Sequence, residues 1–339
     1  MNFLNWKSYI SNYPDLHFMK SKQEAIRHWF KYGIFEKRTD SLKFHSFNPE
    51  KNKLILFTNM KDEKNIKEWC AHHLLLGFDR IYIFDNLSKN PINQELYNFD
   101  PRICIFNIDS EYNIKKKLIS YAIIIAKAIK SEWMLYLDAD EYLVLNKHKC
   151  IRDFLNTYNS DLIGINWLMF GTNGYKKQPE GLIISNFTKC DIKLNHHIKA
   201  FVKPDKINKL FTPHTYILNI NSKYCDINNN KTDITPFIEN NQNYYDSPAY
   251  IAHYVLQSEE TYNFRKINRR SDLGNIRTFD NKIHNQYNIT DNYDIKNRYS
   301  HLINKFLNKN KPEILPLLPL LPEPEINVKS KRKSKKKLN

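Results

Sequence analysis

Glycine is scarce here, at 7 of 339 residues, and the glycine-built phosphate loops are missing with it. No G-x-x-x-x-G-K-[ST] occurs and no G-x-G-x-x-G follows the first predicted strand, so neither ATPase nor dinucleotide chemistry is indicated. G-x-S-x-G and H-E-x-x-H are absent as well, which removes two common hydrolase signatures. The five cysteines, Cys70, Cys104, Cys150, Cys190 and Cys225, stand tens of residues apart with no C-x-x-C pair. They match neither the common zinc spacings nor a disulfide framework, and suit a reducing compartment. No run of about 18 uncharged apolar residues is present to cross a membrane. The best candidate, Ile119 to Ile129, is short and contains Lys127. The opening residues, MNFLNWKSYISNYPDL, lack the apolar core of a signal peptide. The expectation is a soluble, cytoplasmic protein.

What is present suits a folded enzyme. Apolar residues make up 41% of the chain and aromatic ones 14%, enough for a real core. The formal net charge of +16 is unevenly placed, because Lys329 to Lys337 holds seven basic residues and no acidic one. Such a tail can hold nucleic acid or an anionic membrane surface by counterion release; the plainer reading is a solvated, disordered tail. Before it, ILPLLPLLPEPE (Ile314 to Glu325) reads as an extended linker, since its prolines remove donors and fix φ.

The pattern divides the chain into four parts: a small helical module over 1–46, an α/β domain over 50–275, a helical extension over 276–312, and a Pro-rich linker with basic tail over 313–339. In the first part, helices are predicted around Asn5 to Tyr13 and Lys22 to Tyr32, with Gly33 at the C-cap. From Lys53 strands and helices alternate. LILFTN (Leu54 to Asn59), RIYIFDN (Arg80 to Asn86), RICIFNI (Arg102 to Ile108) and WMLYLD (Trp133 to Asp138) read as buried strands. A helix from about Asp62 stops at Gly77, and Ile114, Leu118, Ala122, Ile125, Ala126 and Ile129 stripe a longer one. After Asp161 the segments LIGINW, GLIISNF, HIKAFVKP and HTYIL read as strands, and Glu259 to Arg270 as a helix. The fold class is α/β, layered on a mixed, mostly parallel sheet.

The most informative stretch is EWMLYLDADEYLVL, Glu132 to Leu145. An apolar strand runs into Asp138-Ala139-Asp140-Glu141, and ligands of open α/β sheets collect at the carboxyl ends of strands. In extended chain residues two apart point the same way, so Asp138 and Asp140 can face one ion. Mn²⁺ or Mg²⁺ takes oxygen from one or two carboxylates plus substrate phosphates. The alternative is a polar turn whose aspartates cap backbone N–H groups.

LYLDADEYLVL resembles the metal-binding D-x-D segment of GT-A glycosyltransferases, above all the group around families 2 and 92. Phe57 to Asn90, FTNMKDEKNIKEWCAHHLLLGFDRIYIFDNLSKN, is similar to that group's opening, of the form K-N-E…EW…H…G…Y-[IV]-Y-D-N-x-S. The resemblance makes Thr58, Asn59, Glu63 and Asp85 nucleotide-side candidates. Asn59-Met60-Lys61-Asp62-Glu63 stands in place of a compact K-N-E. WLMFGTNG (Trp167 to Gly174) resembles W-x-x-F-G-[ST]-N-G, on the acceptor side. HYVLQSEETYNFRKINR (His253 to Arg269) resembles H-Y-x-x-K-S-x-E-E-F…K…R-G, with Gln257 and Arg270 as departures. A late histidine supplies a further metal ligand in GT-A enzymes, which points to His253. Four motifs stand in the family's order over about 215 residues.

The resemblance implies an inverting, metal-dependent enzyme that moves a sugar from a nucleotide diphosphate sugar, UDP-linked by preference, to a hydroxyl of a glycan or glycoprotein. Asp140 is then the direct metal ligand, Asp138 bridges metal and ribose, and His253 completes the set. Inversion needs a general base, for which Glu141 and Glu180 are the candidates. His214, in FTPHT, resembles a donor-side position. Lys199 and Lys203 either steady the diphosphate or are ordinary surface lysines. His73 lies on an apolar helix face and reads as core; neither His72-His73 nor His196-His197 has a carboxylate or cysteine at ligand spacing. The N-terminal segments WKSYISNYPDL and AIRHWFKYGIFEKR resemble a short module found beside glycosyltransferase domains, including some of large DNA viruses. That adds host cytoplasm or virion to the expected locations. The rival classes are a nucleotidyltransferase built on the same aspartates and a non-catalytic basic protein acting through its tail.

Overall fold

Along the buried strands alternate side chains enter two different cores. Leu54 and Leu56 join one cluster while Ile55 and Phe57 join the other; Trp133 and Leu135 divide from Met134 and Tyr136 in the same way. A sheet covered on both faces accounts for the near-continuous apolar runs in the sequence. The computed structural model describes residues 53–89, 102–108, 114–267 and 279–309, with parts of 6–33 and 96–100. The helix expected around Asn5 to Tyr13 falls largely outside the described residues, as do Arg269, Arg270, the Pro-rich linker and the basic tail.

In chain order the elements open with α1 (Lys22–His28), β1 (Leu54–Met60), α2 (Ile66–Leu76), β2 (Arg80–Asn86), β3 (Ile103–Ile108) and α3 (Lys115–Ala128). There follow β4 (Trp133–Tyr136), β5 (Glu141–Leu145), α4 (Ile151–Leu155), β6 (Leu162–Met169), α5 (Ile183–Asn186), β7 (Lys189–Cys190) and β8 (Asn195–Val202). The hairpin β9 (Ile207–Thr212) and β10 (Thr215–Leu218), then β11 (Tyr224–Cys225) and β12 (Ala249–His253), complete the strand-rich half. The last elements are α6 (Glu259–Tyr262), α7 (Asn281–Asn285), β13 (Thr290–Asp291) and α8 (Asp294–Lys309).

The central sheet runs β3-β2-β1-β4-β8-β6-β12-β5, with β11 also on β6. Its first four strands are mutually parallel. The strand β8 is antiparallel to β4 and β6, β12 is parallel to β6, and β5 closes the edge antiparallel to β12. This is the mixed, mostly parallel sheet expected of the α/β domain. Helix α2 ends where predicted, because Gly77 at φ 107 takes the left-handed cap. Gly33 is different: its φ is not left-handed, and the Tyr9 hydroxyl lies where a β-carbon would stand.

One expected strand is a helix. GLIISNF forms the turn α5, because the buried carboxylate of Glu68 accepts the N–H groups of Ile183 at 2.8 Å and Ile184 at 3.1 Å. That carboxylate sits at the orphan donors of a helix start, a tertiary contact that local β propensity does not reveal. The helix expected over Glu259 to Arg270 is regular only to Tyr262 and widens into a π-type turn over Asn263–Ile267.

The free edge of β5 is held by side chains of α2. Trp69 Nε1 donates to Glu141 O at 2.7 Å, and His72 Nε2 donates to Leu143 O at 2.7 Å. His73 Nδ1 donates to Trp69 O at 2.8 Å, which leaves Nε2 to accept Leu143 N at 3.3 Å. Burial lowers the pKa of both imidazoles, that of His72 to about 4, so both stay neutral. Replacing Trp69 by Phe keeps the ring but strands the Glu141 carbonyl. The expected cost is about 1–2 kcal/mol, read as a lower urea midpoint; an unchanged midpoint would contradict the latch.

Candidate active site

At the end of β4 the chain leaves the sheet for the turn Leu137 to Asp140 and re-enters it as β5. Its two aspartates are treated differently. Asp138 keeps a quarter of its side chain exposed and pairs with Lys115 Nζ at 2.6 Å and Lys199 Nζ at 3.3 Å. Asp140 is buried and pairs with Arg265 Nη2 at 3.0 Å and Lys266 Nζ at 3.6 Å. Burial alone raises a carboxylate pKa. Here Lys115 and Lys199 hold Asp138 well below the usual range despite burial, and Arg265 and Lys266 do the same for Asp140.

Glu141 is fully buried behind the pair. Its Oε2 accepts Asp138 N at 2.9 Å and lies 3.3 Å from Lys199 Nζ, while Oε1 has no partner among the described residues. Burial pushes its pKa up to about 8. Lys199, expected by default at the surface, is 1% exposed and raised in pKa by Asp138 and Glu141. Glu180 is exposed in the loop between β6 and α5, and no hydrogen bond or ion pair joins its carboxylate to the aspartates among the described residues. Lys203 is directed elsewhere, bonded to Asp161 at 3.2 Å and 5.2 Å from the Trp133 ring centroid.

The nucleotide-side candidates lie at the carboxyl ends of β1 and β2, in register through Asn59↔Phe84 and Met60↔Asp85. Thr58 is buried and Asn59 Oδ1 accepts the Tyr136 hydroxyl at 3.1 Å. Asp85 Oδ1 accepts Ser88 N and Oγ, whereas Oδ2 is buried without a partner among the described residues. Burial raises the Asp85 pKa. Glu63 reaches the aspartates through Arg265, whose Nε it accepts at 3.0 Å. His214 donates Nδ1–H to Ile198 O at 2.9 Å, and its pKa is lowered by burial to about 4.

His253 stands opposite Glu141 in the β12–β5 pairing, with Nε2 3.7 Å from Asp140 Oδ1. Burial lowers its pKa to about 4, so the imidazole is neutral with a lone pair to offer, and Nδ1 is buried without a partner among the described residues. Two carboxylates and a neutral imidazole suit Mn²⁺ or Mg²⁺ in donor type. In the present arrangement Asp138 is turned to its lysines, and no three such groups converge among the described residues. An ion held by Asp138, Asp140 and His253 therefore requires Lys115 and Arg265 to give up their carboxylates.

No family model matches the chain. A glycosyltransferase family 92 protein of Oryza sativa subsp. japonica is 27% identical over 177 residues, covering 48% of this chain and 29% of that one. The chain resembles family 92 glycosyltransferases. A second family 92 protein, from Ricinus communis, is 24% identical over 158 residues, 42% of this chain and 27% of that protein. The chain thus spans less than a third of the length of these family 92 relatives. Among solved structures, S. aureus TarS 1–349 aligns with 45% of this chain and 47% of its own at 14% identity and a TM-score of 0.31. A likeness so partial adds nothing to the family 92 similarity.

Sequence reading missed Lys115, Arg265 and Lys266. Lys115 left a signal: it opens α3 with no acidic residue in the first turn, where the helix dipole disfavours a cation. The ion pair with Asp138 offsets that cost.

Two outcomes follow. Lys199→Met leaves Glu141 and Asp138 short of a buried counter-charge and lowers stability by about 3–5 kcal/mol; adding Glu141→Gln recovers part of the loss in urea unfolding. An additive double variant would refute the pairing. His72, His214 and His253 have folded pKa values of about 4 against an ordinary 6.5. Their contribution to stability is full above pH 6.5 and is lost as pH falls toward 4, since the unfolded chain binds the protons first. Urea midpoints across that window are expected to fall less steeply in His72→Phe than in the parent.

Proposed function

We propose that the protein is a glycosyltransferase that moves one sugar from a nucleotide diphosphate sugar to a hydroxyl of a glycan or glycoprotein, with inversion at the anomeric carbon. The observation that carries this reading is the Asp138–Asp140 turn at the carboxyl end of a sheet strand, with His253 beside Asp140. Similarity to family 92 glycosyltransferases supports it independently.

In this reading the base and ribose lie over the ends of β1 and β2. The unpartnered Oδ2 of Asp85 accepts an N–H or O–H from the nucleoside, and Thr58 and Asn59 line the same end. UDP-linked donors are preferred. Asp138, Asp140 and His253 would hold the divalent ion, Mn²⁺ or Mg²⁺, which would neutralise charge on the diphosphate leaving group. Lys199 stays pinned between Asp138 and Glu141 and fixes the direction of the Asp138 carboxylate. Lys115, Lys266 and Arg265, released from the aspartates, face the incoming phosphates as fixed counter-charges. Glu141, closed off behind the aspartates, acts as a positioning residue. Glu180, in the exposed loop between β6 and α5, is the remaining candidate to take the proton of the acceptor hydroxyl as its oxygen attacks the anomeric carbon and the nucleoside diphosphate leaves.

The test is nucleotide release from UDP- and GDP-sugars, with and without Mn²⁺, by wild type and Asp140→Ala. Metal-dependent release from one donor, reduced roughly a hundredfold or more in the variant, is the expected result. Full turnover by Asp140→Ala would sink the assignment.

A further inference from the structure

The hairpin β9–β10 forms a two-stranded sheet of its own, and its two faces differ. Leu210 pairs with Tyr216 and packs with it on the core that also takes Ile207 and Leu218. Lys209 pairs with Ile217 on the other face, and Phe211, two residues further along β9, is 46% exposed on the same side. Beyond β10 the chain makes a tight turn. Ser222 N donates to Asn219 O at 3.2 Å, and Asn221 at the third position takes a left-handed φ of 68°. Ile220, at the second position, is 93% exposed.

This turn is fixed at both ends. Leu218 N donates to the Tyr224 hydroxyl at 2.6 Å, Asn219 N to Lys206 O at 2.8 Å, and Lys223 N to Asp161 Oδ2 at 3.0 Å. Nothing in such a turn demands an apolar side chain at its second position, so neither folding nor packing accounts for the isoleucine. Exposed apolar residues scattered singly are ordinary. Phe211, the half-buried Ile217 and Ile220 are not scattered, because they follow one another along the outer face of one ribbon.

Cations surround that line. Residues 114–132 and 203–223, which hold α3 and the ribbon, contain nine lysines, Lys115 of the site among them, against Glu132 and Asp205. Helix α3 is tied to the ribbon where Lys127 Nζ donates to Ile207 O at 2.6 Å, and it exposes Lys116, Lys117, Ile124 and Lys130. Asp205 is taken by Lys206 at 3.7 Å, and Asp161 by Lys203 at 3.2 Å. Lys117, Lys130, Lys209 and Lys223 have no carboxylate partner among the described residues.

We propose that this face docks the protein on an anionic lipid bilayer, with Ile220 and Phe211 entering the headgroup layer and the unpaired lysines on the lipid phosphates. Attachment of this kind adds burial of apolar area to attraction for anionic headgroups. Lysines alone fit any polyanion. The apolar line between them selects a bilayer, because a nucleic acid or an anionic glycan offers the isoleucine tip no hydrocarbon. The turn of the same ribbon carries His214, whose ring lies 5.3 Å from that of Trp167, so docking holds the candidate active site beside the membrane. The inference stands apart from the glycosyltransferase reading and from the basic tail.

Flotation of the full chain with vesicles tests it, using phosphatidylcholine alone and phosphatidylcholine mixed with phosphatidylserine. Binding is expected to the mixed vesicles only, and to weaken as salt is added. Ile220→Asp is expected to lower the partition coefficient roughly tenfold or more. Lys209→Glu combined with Lys223→Glu is expected to lower it by about the same factor. Both variants leave the tail in place, and urea midpoints equal to that of wild type check their folding. The proposal requires both falls. Absence of binding to mixed vesicles would overturn it, and so would undiminished binding by both variants, which assigns attachment to the tail. A fall in the lysine variant alone would overturn it too, by reducing the face to a general polyanion site.

Discussion

The backbone of Leu143 is bonded on its outer side by two histidine rings, and the placement of the site depends on that contact. Among the described residues the edge strand β5 has only β12 as a strand neighbour, and an edge strand presents a row of N–H and C=O groups that need partners. His72 and His73 take the carbonyl and amide of Leu143, and Trp69 takes the carbonyl of Glu141. The turn carrying Asp138 and Asp140 is thereby stretched between a parallel strand at the centre of the sheet and an edge pinned by α2. The same helix sends Glu68 to the start of α5. Helix α8 packs on this cluster through Ile295 and Ile303, so the C-terminal elements brace the latch from behind.

Charge balance is the second constraint. Four acids, Glu63, Asp138, Asp140 and Glu141, meet four cations, Lys115, Lys199, Arg265 and Lys266, and because burial raises the Glu141 pKa to about 8 the balance near neutral pH leans to the cations. Buried charges that lack partners cost several kcal/mol each, which explains why the acids are surrounded so completely. Lys199 differs from the other three in being almost wholly buried; it behaves as part of the scaffold, while Lys115, Arg265 and Lys266 retain some exposure.

Much of this was legible before the structure. Both-face burial writes itself as unbroken apolar runs, so β1 to β4 and the stripe of α3 were plain, and Asp138 and Asp140 stood out as acids at the end of such a run. His73 showed its core role through its place on the apolar face of α2. GLIISNF did not reveal itself, because the helix there is set by Glu68, 115 residues away in sequence. Lys199 looked like any lysine in a lysine-rich chain; nothing local marks a residue whose burial is made tolerable by acids 58 to 61 positions earlier.

Anomalous diffraction at the manganese edge, from crystals grown with UDP and Mn²⁺, tests the central claim most directly. The account predicts a single strong peak between Asp138, Asp140 and His253, with Lys115 and Arg265 moved off the carboxylates toward the diphosphate. No peak there, with both cations still on their aspartates while UDP is bound, would contradict it.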